Sequence, residues 1–166
     1  MRLPGNPGLR AEYASAGLNN LASSFLAGAG ATLMHVALMT IKHRAGILPT
    51  FEPYADLQRL LSFSWSLDPP WSWLLPYVNG ALVLGFVFGR LFAYLPGRSA
   101  IAKGAAFGFP AWLAMNLGFF PLVGRGVFAW KLGLGAWPAA LTLAMLMLYA
   151  TVMSLLYAAL TGSRHD

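Results

Sequence analysis

Apolar positions in this chain do not alternate with polar ones; they come in long runs separated by short polar breaks. Four runs reach the length of a membrane-crossing helix: residues 17–41, 73–95, 101–120 and 138–160. About 20 helical residues cross the ~30 Å hydrocarbon layer. Helix is the required form, because lipid leaves the polar groups of a bare backbone unsatisfied. Stretches such as "ALVLGFVFG" and "LTLAMLMLYA" lack the two-residue alternation of a membrane strand. Small residues recur within the runs at helical spacing. Ala81, Gly85, Gly89 and Ala93 fall four apart, and Gly104, Gly108 and Ala111 share one side of the third run. The first run has Asn20, Ser24, Gly28, Ala31 and His35 on one side, and the last has Met147, Ala150, Ser154 and Ala158. Helices in lipid associate through such close-contact stripes. The pattern therefore predicts an all-α fold: an integral membrane four-helix bundle, built as a single domain over residues 1–166.

Two connectors stand out. Between the first two runs, Tyr54, Leu57, Leu60, Leu61 and Ser64 recur at three and four residues, with Asp56 and Arg59 on the other side. This predicts a short amphipathic helix lying in the membrane interface, capped by Thr50 with Pro53 in its first turn, and stopped at "SLDPPWSW". The third run is expected to kink at Pro110 and to end near Pro121. About fifteen residues rich in glycine and aromatics then precede Pro138. They are expected to fold as an ordered hairpin against the membrane face, forming a lid beside the amphipathic helix. Trp130, Arg125 and Lys131 here, with Lys42 and Arg44 after the first run, are the candidate lipid-interface residues.

Composition strengthens the membrane assignment. Of 166 residues 58% are hydrophobic and 10% charged, and the mean hydropathy is +0.61. Soluble domains carry about 25% charged residues. The net charge of +6 arises from basic residues scattered singly at the ends of apolar runs, which excludes a nucleic-acid stripe and fits lipid phosphates. The first run is too long for a cleaved signal core and is read as a retained span. With no cysteine, thiolate metal sites and iron–sulfur clusters are excluded. Arg2, Arg10, Arg90, Arg98, Lys103 and Arg164 lie on one side of the expected topology, and Lys42, Arg44, Arg59, Arg125 and Lys131 on the other. Six against five places both termini in the cytoplasm by the narrowest margin.

Candidate chemistry is sparse. His35, on the small-residue face of the first run, is the candidate cofactor ligand. It suits a haem iron or chlorophyll magnesium, a proton relay, or a hydrogen bond to Asn79, a tyrosine or a carbonyl. A quinone or headgroup pocket beneath the hairpin is a further possibility. His43 lies ~12 Å further along the same helix and cannot be a second axial ligand there. Glu52 and Asp56 read as a solvated polar face, and Asn79 and Asn116 as interhelical hydrogen-bonders. No metal-binding pattern, nucleophile–base pair, P-loop or dinucleotide fingerprint is present, and no predicted span holds a carboxylate.

"KHRAGILP" at Lys42 to Pro49 and "PLVGRGVFAWKLG" at Pro121 to Gly133 carry a resemblance. They match the K-H-x-x-G-x-x-P and P-x-x-G-x-G-x-F-x-x-x-x-G elements of an uncharacterised family of small four-helix bacterial inner-membrane proteins. The chain resembles that family over roughly residues 20 to 160. The resemblance implies the bundle, the two ordered loops and an inner-membrane location, and supplies no activity. The expected role is a non-catalytic auxiliary subunit of a larger membrane complex, in respiratory or photosynthetic electron transfer, contacting lipids and other subunits. The alternatives are a small oligomeric transporter or channel, and a pigment- or haem-binding protein using His35.

Overall fold

The computed structural model describes residues 7–47, 53–65 and 74–162. Among them the chain is helical, with no strand. Helix α1 runs Pro7–Arg44 and α2 Pro53–Trp65. Helix α3 covers Leu75–Leu91 and α4 Ala100–Leu122. A short 3₁₀ segment, Val127–Leu132, leads to α5, Trp137–Thr161. The expected Thr50 cap, Glu52 and the Pro69-Pro70 stop lie outside the described residues.

Among the described residues three helices are long and apolar enough to cross a membrane: the Gly17–Arg44 part of α1, α4 and α5. Only 22–28% of their apolar windows is buried inside the molecule. Leu26, Leu33, Ile101, Leu117 and Leu155 instead point outward. An apolar exterior of this kind is stable in lipid and not in water.

The boundaries differ from the sequence pattern in two places. Helix α1 begins at Pro7, ten residues before the apolar run, because proline is well suited to the first turn of a helix. Helix α3 stops at Leu91 rather than near Leu95. Leu95 precedes Pro96, which disfavours helical backbone there, and Gly97 then turns the chain with φ 113°. The Lys103 ammonium reaches back to donate to the Phe92 carbonyl at 3.0 Å and lies 4.2 Å from the Phe92 ring centroid. It thus caps the end of α3 as a buried cation instead of reaching the headgroups.

Glycines set the helix contacts. A Cβ on Gly28 would stand 2.9 Å from the Gly80 carbonyl and 3.0 Å from the Ala81 Cα, so α1 and α3 touch backbone to backbone. Gly85 and Gly89 continue that seam against Ser24. Gly104 and Gly108 pack in the same way against Thr151, Ala150 and Leu146 of α5. Across the α4–α5 contact, the Ser154 hydroxyl donates to the Ala100 carbonyl at 2.6 Å.

The two ends of the bundle differ. Around the C-terminal half of α3, Phe88, Phe92, Phe107 and Tyr157 pack edge to face or tilted, at centroid distances of 4.7–5.8 Å. Met153, Ala27 and Ala31 complete a solid core. Such ring pairs each contribute about 1 kcal/mol beyond area burial. Near the other end the helices part.

Candidate functional site

Two helices lose their regular pitch at the end facing α2. Val78–Leu84 of α3 and Met115–Phe119 of α4 are wound as π-helix. The Gly85 N–H donates to the Gly80 carbonyl, and the Phe120 N–H to the Met115 carbonyl, each five residues back. A π-turn widens the helix and shifts the side chains that follow, and such turns are frequent at functional sites.

Between the widened segments lies a cavity of about 380 Å³. Every helix contributes to its wall. Thr32, His35 and Met39 come from α1, Tyr54 and Leu57 from α2, and Asn79, Gly80 and Leu84 from α3. Ala111, Met115 and Phe119 come from α4, and Thr142, Met145, Leu146 and Tyr149 from α5. The volume falls within the range of small-molecule pockets, and the lining is mostly apolar with a few polar groups, as such pockets are.

Those polar groups are fixed in place. The Tyr149 hydroxyl donates to the Gly80 carbonyl at 2.7 Å. Thr32 donates to the Gly28 carbonyl at 2.8 Å, and a Cβ on Gly80 would collide with its hydroxyl. The His35 ring stands edge-on between two tyrosines, 6.5 Å from Tyr54 and 6.1 Å from Tyr149. Burial pushes the Tyr54 phenol above its ordinary range, and the Asn79 amide beside it offsets part of that rise. Tyr54 is therefore a neutral hydroxyl at physiological pH, fit to donate a hydrogen bond into the cavity. Asn79 lies beside Tyr54 in this arrangement, and His35 packs near-perpendicular to both tyrosine rings.

Helix α2 covers the cavity and is pinned by a carboxylate. Asp56, 7% exposed, accepts from Arg125 through both oxygens, Nε to Oδ2 at 2.9 Å and Nη2 to Oδ1 at 2.6 Å. Arg59 joins from the same helix. The pairing raises the Arg125 guanidinium further above its ordinary value. This corrects the expectation of a solvated Asp56. The carboxylate faces inward because α2 lies against the loop after α4, and a buried carboxylate needs a partner. Arg125, expected at headgroups, is committed to that pair.

The loop bearing Arg125 is tightly built. Gly124 and Gly126 take positive φ, and so do Phe128 and Ala129, at 54° and 57°. Left-handed backbone at two consecutive non-glycine residues costs about 1–2 kcal/mol each. Packing offsets it: Ala129 is buried against Phe120, and the Phe128 ring packs tilted against Trp112 with centroids 5.6 Å apart. Trp112 in turn donates to the Ala139 carbonyl at 3.0 Å.

Of the remaining predicted interface residues, Trp130, Lys131 and Arg44 are exposed, whereas Lys42 is buried in the last turn of α1. Its cation there complements the helix dipole. Asn116 donates within its own helix to the Trp112 carbonyl at 2.9 Å, not across helices, and its Oδ1 is buried with no partner among the described residues. Among the described residues no cluster of three metal-ligating side chains occurs. Sequence patterning missed Tyr149 and Thr32. Both sit inside apolar runs, and the three-residue spacing of Thr32 and His35 is the one signal that could have placed Thr32 on the same face.

Fold and cavity together define an all-helical protein with three helices of membrane-crossing length and an internal pocket near one end. The chain belongs to a family of unknown function, DUF6789, whose model matches residues 18–166. No curated protein and no solved structure matches it.

Proposed function

We infer that this is a four-span, non-catalytic membrane protein whose bundle holds one small, largely apolar molecule beneath α2. The observation that carries the reading is the 380 Å³ cavity walled by all five helices. Its few polar groups suit a ligand that makes one or two hydrogen bonds. An α2 lid tied down by Asp56–Arg125 suits a site that opens and closes.

The fourth crossing has its own support. Asp56 follows α1, and Arg125 follows α4, yet the two side chains touch. If α1 and α4 both cross, α3 must cross as well to bring both loops to one side. Helix α3 is shorter than the other three, ~25 Å long by its rise, which a modest thinning of the bilayer accommodates. Four crossings would leave both termini on one side, and the charge count of six against five favours the cytoplasmic side of a bacterial inner membrane. A role as auxiliary subunit is served by this architecture. The leucine-rich outer faces accept lipid and partner helices alike, however, so the cavity carries the assignment.

Native mass spectrometry of protein extracted in mild detergent tests the reading. One molecule of bound mass is expected per chain, and Met145→Trp, which fills the cavity, is expected to abolish it while the melting temperature holds. Absence of any bound mass in the unaltered protein would remove the proposal. A visible haem or chlorophyll band lost in His35→Ala would replace it with metal ligation by that histidine.

A further inference from the structure

A second hollow of about 320 Å³ adjoins the cavity and shares His35, Met39 and Tyr54 as walls. It follows the outer side of α1 past Thr40 to His43 and Arg44, with Pro76 of α3 opposite. Cavity and groove therefore form one track along α1 from Thr32 to Arg44, roughly 18 Å by the helical rise. Its inner part is apolar and its outer end basic. Arg44 is exposed, and among the described residues no carboxylate pairs with it. The basic end closes an apolar run of membrane-crossing length, which sets it at headgroup depth.

We propose that the ligand is a single-chain anionic lipid of the fatty-acid class, which enters sideways from the bilayer between α1 and α3. Its chain lies in the cavity and its carboxylate pairs with Arg44 at the groove mouth. The inference rests on the binding role proposed above and adds the ligand's charge, shape and route. One chain is what a cavity of this volume accommodates. A guanidinium at the polar end selects an anion over an alcohol of equal length, since charge-assisted hydrogen bonds exceed neutral ones. Met39 and Tyr54, shared by both hollows, form the throat through which the chain passes.

The test uses the full-length protein in phosphatidylcholine nanodiscs, with myristate and myristyl alcohol competing against a fluorescent polyene fatty acid. Myristate is expected to bind about tenfold more tightly than the alcohol, and Arg44→Gln to bring the two to parity. Met39→Trp at the throat is expected to weaken both. Equal binding of acid and alcohol, unchanged by Arg44→Gln, would overturn the anionic assignment and leave the cavity reading intact. Displacement by phosphatidylglycerol but not by myristate would overturn the single-chain assignment. Binding of neither compound, where native mass spectrometry still detects a bound molecule, would overturn the lipid class. Binding of neither with no bound mass would remove the cavity reading itself.

Discussion

Replacing Arg125 by methionine is expected to loosen α2 on the bundle, raising its open population, while the four long helices stay assembled. The Asp56 carboxylate would then be left buried, with only the more exposed Arg59 to answer it. Removing one partner of a fully buried pair costs 3–5 kcal/mol; Arg125 is a quarter exposed, so about 2 kcal/mol is expected here. That is roughly a 30-fold rise in the open population of α2. Hydrogen exchange reads this directly: α2 amides should exchange about 30-fold faster, and those of α5 should not change. Arg125→Lys should fall between, because an ammonium keeps the charge but loses the two-pronged geometry. Unchanged exchange in α2 would mean that apolar contacts of Tyr54 and Leu57, not the ion pair, hold the lid.

Gly104→Val is expected to be the most destabilising substitution in the bundle. A Cβ there would lie 2.7 Å from the Thr151 Cα and 2.9 Å from the Ala150 carbonyl, both main-chain atoms that cannot rotate aside. The helices would have to separate along α4 against α5, one of the two most extensive helix contacts among the described residues. Overpacking of this sort costs about 3 kcal/mol, and a β-branched residue leaves no rotamer to absorb it. Loss of the Ser154 hydrogen bond to Ala100, one turn away, adds to the damage. Thermal unfolding in detergent should show a large fall in melting temperature. Gly17→Ala, inside α1 where a Cβ meets nothing within 4 Å, should be at least as stable as the unaltered protein. Equal stability of the two variants would mean that α4 and α5 do not pack through Gly104.

Much of the fold is legible in the residues themselves. Helices α4 and α5 lie within two residues of the apolar runs that predict them, because length and hydropathy dictate helix in lipid. Gly85 of α3 and Gly104 of α4, both in the small-residue stripes, sit at close backbone contacts, since nothing larger allows such approach. His35 lies in the cavity wall, and the Gly/aromatic connector contains a 3₁₀ segment at Val127–Leu132. What the pattern does not carry is the pairing of groups far apart in sequence. Asp56 and Arg125 are separated by 69 positions, and each alone reads as a surface charge. The π-turns have no periodicity of their own in a run where every residue is apolar. They surface only as Asn79-Gly80 and Asn116, which also suit ordinary helix. Asn79, Gly80 and Leu84, with Met115 and Phe119, line the cavity from those π-segments, so the site is as hidden in the sequence as they are.

The chain has no cysteine, so single introduced cysteines report the side of the membrane cleanly. Arg59 on α2, Trp130 after α4 and Tyr94 between α3 and α4 are all well exposed. The decisive measurement is labelling of these three positions, one at a time, by a membrane-impermeant maleimide in sealed vesicles of known orientation. Four crossings, with α2 and the Arg125 loop meeting over the cavity, predict that positions 59 and 130 label from one side and position 94 from the other. Labelling of positions 94 and 130 from the same side would contradict the fold's membrane topology and with it the lidded cavity.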